Sequence, residues 1–323
     1  MNPSMLLALP LVWAACAIAG YLYSQLKDIP ASMAMAALPA FLLEATFFYA
    51  LGVERLRTRI EKLHPAWIAL LLVPAAVAPY AAASLAFGSF HWHALFWIAG
   101  LAAVASFWFV ILPKNGAFDV LFLVFMAAIW LAKVFRYWYI DPNPRLPLVT
   151  LAQLMWIRTG AFALLSVRRV KGVGFGFWPG GREWSIGAMY FAISVPAAAA
   201  LAWWIGFAKP RMPAGWERTS LLAIATFFGV LWVLALGEEF FFRGLLQQWI
   251  GAWIGSEWAG LIFASLLFGT VHLWYRTFPN WRFALLAALE GVFYGLAFRQ
   301  AKSIRASMVT HALVVTTWRV FFA

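Results

Sequence analysis

The sequence predicts an all-α, polytopic transmembrane bundle of about ten or eleven helices. Three observations carry that prediction. Hydrophobic residues make up 65% of the 323 and charged residues only 11%, whereas a soluble domain carries about 25% charged residues. The apolar residues fall into stretches of about 20, the length that crosses a bilayer as a helix. The basic residues gather at the ends of those stretches. The formal net charge of +12 therefore points to topology and to anionic lipids as partners, and not to nucleic acid.

The stretches lie near 4–24, 31–53, 66–87, 91–112, 117–135, 148–167, 185–207, 219–250, 257–274, 283–299 and 304–322. The first begins MNPSMLLALPLVW, with no basic region ahead of it, and reads as a retained helix rather than a cleaved leader. It holds Cys16, the single cysteine of the chain, so no disulfide framework forms within one chain. After the second come Arg55, Arg57, Arg59 and Lys62; after the sixth, Arg168, Arg169 and Lys171; after the tenth, Arg299, Lys302 and Arg305. Counting helices puts all three groups on one side, which the positive-inside rule makes cytoplasmic, with the N-terminus on the same side. Lys209, Arg211 and Arg218 fall on the opposite side. The stretch from 219 is too long for one perpendicular crossing and is expected to tilt or project. Trp67, Trp184, Trp281 and Trp318 sit near span ends, as interfacial anchors do.

Residues 168–184, RRVKGVGFGFWPGGREW, are basic, glycine-rich and broken by Pro179. They cannot span, and they divide the chain into 1–167, a set of transmembrane helices of unknown role, and 168–323, which holds nearly all the intramembrane polar residues. In the first half Glu44 is expected to hydrogen-bond between helices. His91 and His93 are two apart, hence on different helix faces, and read as interfacial histidines.

The second half places Glu238 and Glu239 side by side in an otherwise apolar helix, followed by Arg243. A charged residue at a helix centre costs about 2.5–3.5 kcal/mol on insertion scales, so such residues face a protein-lined cavity. Glu239 and Arg243 are four apart and share a face; Glu238 is turned about 100° from Glu239. Adjacent carboxyls in a low dielectric resist ionising together, which suits one of them to general acid–base work. The next span carries Phe268 and His272, four apart; the last carries His311. Two histidines and a carboxylate pair on three helices can meet at one point in a bundle core. Glu290 is a further acid in this half, either facing the cavity or hydrogen-bonded within the bundle.

Glu238-Glu239-x-x-x-Arg243, then Phe268-x-x-x-His272, then His311-Ala312 on the final helix resembles the CPBP family, the CAAX-protease and bacteriocin-processing intramembrane endopeptidases, also called the Abi or type II CAAX prenyl protease family. Gly291 and Gly295 resemble the glycine-spaced helix before the family's last histidine. The resemblance covers about 168–323 and implies a membrane-embedded hydrolase, a glutamic-type protease that needs no cofactor. It implies Glu238 as general base with His272 assisting, His311 as oxyanion donor, Glu239 with Arg243 setting geometry and charge, and Phe268 as a substrate-pocket wall. The implied partner is a peptide or membrane-protein substrate, and the implied location is multi-pass in a plasma membrane, the bacterial inner membrane. The family often has Asn or Asp four residues after its last histidine; this chain has Val315, with Thr316 and Thr317 on rotated faces.

Other functions draw on the same residues. Glu238, His272 and His311 make a His₂Glu donor set of the kind that holds catalytic zinc. A carboxylate pair with histidines also suits a proton relay in a transporter, although the repeat symmetry and broken helices expected there are absent from the sequence pattern. An inactive relative acting by binding, for example in immunity to a peptide toxin, is consistent with Val315.

Overall fold

The computed structural model describes residues 3–207 and 215–322. Lys209 and Arg211 lie outside the described residues, as does the side chain of Arg218. Among the described residues there is no strand, only isolated bridging such as Asn143 with Leu146. Among the described residues, nine helices are long and apolar enough to cross a membrane. The chain is an integral, multi-pass all-α membrane protein. It forms two compact units, Met1–Val170 and Lys171–Ala323.

The first unit contains α1 (Pro3–Leu26), α2 (Ala31–Gly52), α3 (Glu54–Ile60), α4 (Pro65–Ala86), α5 (Trp92–Ile111), α6 (Gly116–Leu131) and α7 (Val149–Phe162, continued by a π turn over Ala163–Val167). The starts follow local chemistry. His64 Nδ1 accepts from the Ala66 N–H ahead of Pro65, and the Asn115 side chain accepts from the Phe118 N–H at the head of α6, each meeting a donor that the helix leaves free. The expected span 117–135 is shorter than its apolar run: α6 has 16 residues, and the chain turns at Lys133 into a 3₁₀ segment, Val134–Tyr137.

Two of the ion pairs in this unit are bidentate. Arg158 donates from Nε and Nη2 to the two oxygens of Glu44 at 2.7 and 3.1 Å, and from Nη2 to the Ala75 carbonyl. The Arg158 side chain is 0% exposed. Arg168 holds Asp119 in the same bidentate way, at 2.8 and 2.9 Å. Glu44 thus links α2 to α7 as half of a buried pair. His93 Nε2 accepts from Trp97 Nε1, whereas His91 precedes α5 and exchanges backbone bonds with the Tyr80 hydroxyl.

The second unit contains α8 (Gly181–Trp204), α9 (residues 216–254), α10 (Glu257–Val271), α11 (Trp281–Ala301) and α12 (Ile304–Phe321). Helix α8 begins at Gly181, inside the stretch that composition leaves irregular, with Glu183 accepting from the Gly180 N–H. Ser256, Asn280 and Ser303 cap α10, α11 and α12. Helix α9 contains the longest apolar run, Thr219–Ile254, 36 residues. It has π turns over Val230–Ala235 and Phe240–Gln247 on either side of an α-helical Leu236–Glu239; such widened turns cluster at functional sites. Helix α12 was expected as a span and is not among the nine. It carries Arg305, Thr310, His311, Thr316, Thr317 and Arg319, and it packs against α8, α9 and α11. Thr310, His311 and Thr316 are thereby kept inside protein, where Thr310 Oγ1 donates to the Gly187 carbonyl.

Candidate active site

Helix α9 presents Glu238, Glu239 and Arg243 to the interior of the second unit. Glu239 and Arg243 side chains are 0% exposed, and Arg243 Nη1 donates to Glu239 Oε1 at 3.0 Å. The same oxygen accepts from His311 Nδ1 at 2.8 Å. One carboxylate oxygen therefore serves two donors from α9 and α12. Since Nδ1 faces a carboxylate, it carries a proton, and Nε2 is the end turned away from Glu239. That end lies 3.8 Å from Glu238 Oε2, too far for a direct hydrogen bond and suited to one shared water. The Glu238 side chain keeps 29% of its surface, and its Oε2 has no hydrogen-bond partner.

Arg243 is fixed by more than Glu239. Its Nη2 donates to the Gly291 carbonyl at 3.1 Å, and one turn on Gln247 Nε2 donates to the Gly295 carbonyl at 3.2 Å. The two glycines admit this rung pattern. A Cβ on Gly291 would lie 3.3 Å from Arg243 Nη2 and 3.1 Å from Ser265 Cα; one on Gly295 would lie 2.8 Å from Gln247 Oε1. The guanidinium is also walled by rings, 4.5 Å from the Phe268 centroid and 5.1 Å from that of Tyr294, a favourable placement for a cation removed from water.

Phe268 is buried at the centre of this wall. Its ring meets His272 at 4.6 Å and the edge of His311 at 5.8 Å, centroid to centroid, and its carbonyl lies 2.6 Å from His272 Nδ1. A carbonyl only accepts, so His272 Nδ1 donates and Nε2 is left free. His272 stands at the C-terminal end of α10, half-exposed, rather than in mid-helix, with Phe283 5.1 Å away on its other side. It makes no hydrogen bond to either carboxylate. Tyr294 was not anticipated from sequence; it lies 2% exposed, with its ring stacked on His311 at 4.6 Å and 14°. Glu290 is 4% exposed. Neither of its oxygens makes a hydrogen bond, although the Ser194 hydroxyl and His311 lie close enough to act on it.

Val315 is half-buried. Of its neighbours, the Thr317 hydroxyl donates to the Leu313 carbonyl, whereas the buried Thr316 hydroxyl has no partner. Both histidines have Nδ1 tied back and Nε2 free, as metal ligands usually do. Yet among the described residues no three His, Cys, Asp or Glu side chains come together as a ligand set.

Residues 219–317 match the family model of the Rce1-like type II CAAX prenyl endopeptidases. The match takes in α9 to α12 and every residue of the site, and leaves the first unit outside it. No curated protein and no solved structure matches the chain.

Proposed function

We propose, from the premise that residues 219–317 form an Rce1-like, type II CAAX prenyl endopeptidase domain, that this membrane protease hydrolyses a peptide bond with a water activated by Glu238. One observation carries the proposal. Glu239 has no exposed surface and its Oε1 is shared between Arg243 and His311, while its neighbour Glu238 keeps 29% of its side-chain surface and no direct hydrogen bond, with Oε2 3.8 Å from His311 Nε2.

In this mechanism the water sits between Glu238 Oε2 and His311 Nε2. Glu238 takes its proton, and the oxygen bonds to the carbonyl carbon of the substrate. The carbonyl oxygen gains the charge and accepts a hydrogen bond from Nε2–H of His311, which in this step carries a proton on each ring nitrogen, Nδ1–H being held by Glu239. Glu238 then returns the proton to the nitrogen as the C–N bond breaks, giving a carboxylate and an amine. Glu239 holds His311 in orientation and Arg243 holds Glu239, so neither needs to meet the substrate. His272, with its Nδ1 donating to the Phe268 carbonyl, offers Nε2 to the water or the leaving nitrogen from the open side. A water-poor site makes this positioning effective, because bulk solvent does not compete for the proton. The substrate is a peptide or membrane protein held near the bilayer, and the protein's setting is the bacterial inner membrane.

Glu238→Gln is expected to lower single-turnover cleavage by about 10²–10⁴-fold, and His272→Ala to abolish it, with each variant eluting as wild type on size exclusion. Comparing protein termini in membranes from cells with wild type and with Glu238→Gln identifies the substrate. Full cleavage by either variant overturns the assignment. Stoichiometric zinc in purified, active protein overturns the metal-free route.

A further inference from the structure

Outside the site, the first unit contains a cavity of about 140 Å³ at the Leu131 end of α6. Trp130, Leu131 and Phe135 give it an apolar lining, and Lys133, Arg136 and Gln153 give it polar groups; no acidic side chain lines it. Lys133 and Arg136 are exposed and form no ion pair with any described acid.

Helix α6, which leads into the cavity, is also short. Helix α6 has 16 residues, which at 1.5 Å per residue is about 24 Å, short of the roughly 30 Å hydrocarbon core. Helix α6 ends at Leu131, just ahead of Lys133 and Arg136. There the backbone turns through Lys133, whose φ of 53° is a left-handed conformation. A lysine is disfavoured there, and such local strain often accompanies a functional placement. The turn puts two unpaired cations over a floor of Trp130, Leu131 and Phe135. A ligand that fits has a phosphate for the cations and a hydrocarbon portion for the floor.

We propose that this cavity binds an anionic phospholipid, with its phosphate between Lys133 and Arg136 and its acyl chains over Trp130 and Leu131. Gln153 donates to the glycerol or ester oxygens. The site is independent of the protease chemistry, because none of its residues belongs to the Glu238 cluster, and Glu238→Gln protein retains it.

Native mass spectrometry of the full-length protein, purified in neutral detergent, tests this with phosphatidylglycerol, phosphatidylcholine and inorganic phosphate as probes. The wild type is expected to retain phosphatidylglycerol in preference to phosphatidylcholine. Lys133→Ala/Arg136→Ala is expected to weaken that retention about thirtyfold, the effect of two interfacial cations. Lys62→Ala/Lys171→Ala, which removes the same charge elsewhere, is expected to retain the lipid as wild type does. Should the alanine pair fail to elute as a single species, Lys133→Gln/Arg136→Gln replaces it. Equal retention of both lipids by wild type, unchanged retention in the cavity variant, or equal loss in the control overturns the proposal. Displacement of the lipid by inorganic phosphate alone assigns the site to free phosphate and overturns the lipid as its occupant.

Discussion

Glu239 gives one oxygen to two donors and has no exposed surface, whereas Glu238 makes no direct hydrogen bond and keeps 29% of its side-chain surface. Their substitutions are therefore expected to separate. Removing one member of a buried ion pair costs about 3–5 kcal/mol, so Glu239→Ala and Arg243→Ala should lower the thermal unfolding midpoint sharply. Glu238→Gln should leave it nearly unchanged, since a partly exposed group without a partner has little to lose. Equal midpoints for Glu238→Gln and Glu239→Ala would contradict this division of roles. At Val315 the expectation concerns rate. One oxyanion donor contributes about 2.7–4 kcal/mol in soluble proteases, and Val315→Asn is expected to raise single-turnover cleavage at unchanged stability. A variant no faster than wild type shows that another donor, such as the Thr316 hydroxyl, already fills that role. The Glu239–Arg243 contact was legible because i, i+4 spacing alone determines it. The stack of Tyr294 on His311 was not, because two helices must first pack before either ring has a neighbour.

Among the elements, α11 is positioned by two missing side chains. Arg243 and Gln247, one turn apart on α9, reach the carbonyls of Gly291 and Gly295, one turn apart on α11. A methyl at position 291 would press on Ser265 Cα at 3.1 Å, a backbone atom that cannot rotate away. Overpacking of this kind costs about 1–3 kcal/mol, so Gly291→Ala is expected to lower the unfolding midpoint and the cleavage rate together. Gly100→Ala, whose Cβ meets nothing within 4 Å, is the control; equal losses in both variants would refute the close-approach argument. Most helices could be placed from apolar length. The exceptions share a cause, since length and hydropathy do not report what surrounds a helix. Helix α6 stops before its apolar run does, because the chain turns at Lys133. Helix α12 is more polar than a lipid-facing span because α8, α9 and α11 enclose it.

At the scale of the molecule, each compact unit holds a buried ion pair, Glu44 with Arg158 in one and Glu239 with Arg243 in the other. The sequence marked Glu44 as an anomaly but left Arg158 unnoticed, because 114 residues separate them. The pair is open to a double-mutant cycle. Glu44→Leu or Arg158→Leu alone is expected to cost about 3–5 kcal/mol, and the combined substitution to be neutral or stabilising by about 1–4 kcal/mol, read as unfolding midpoints in detergent. Additive losses in the double variant would show that the two side chains act separately.

The same separation has a consequence for biogenesis. A ribosome adding about 5–20 residues per second delivers α7 roughly 6–23 s after α2. For that interval the nascent chain carries a carboxyl in an apolar segment whose guanidinium has not yet been synthesised. Helix α2 must wait in the translocon, hold a proton, or lie at the interface until its counter-charge arrives. The Glu44–Arg158 contact thus acts as a checkpoint in time, joining the second helix of the chain to the seventh, with four others made between them.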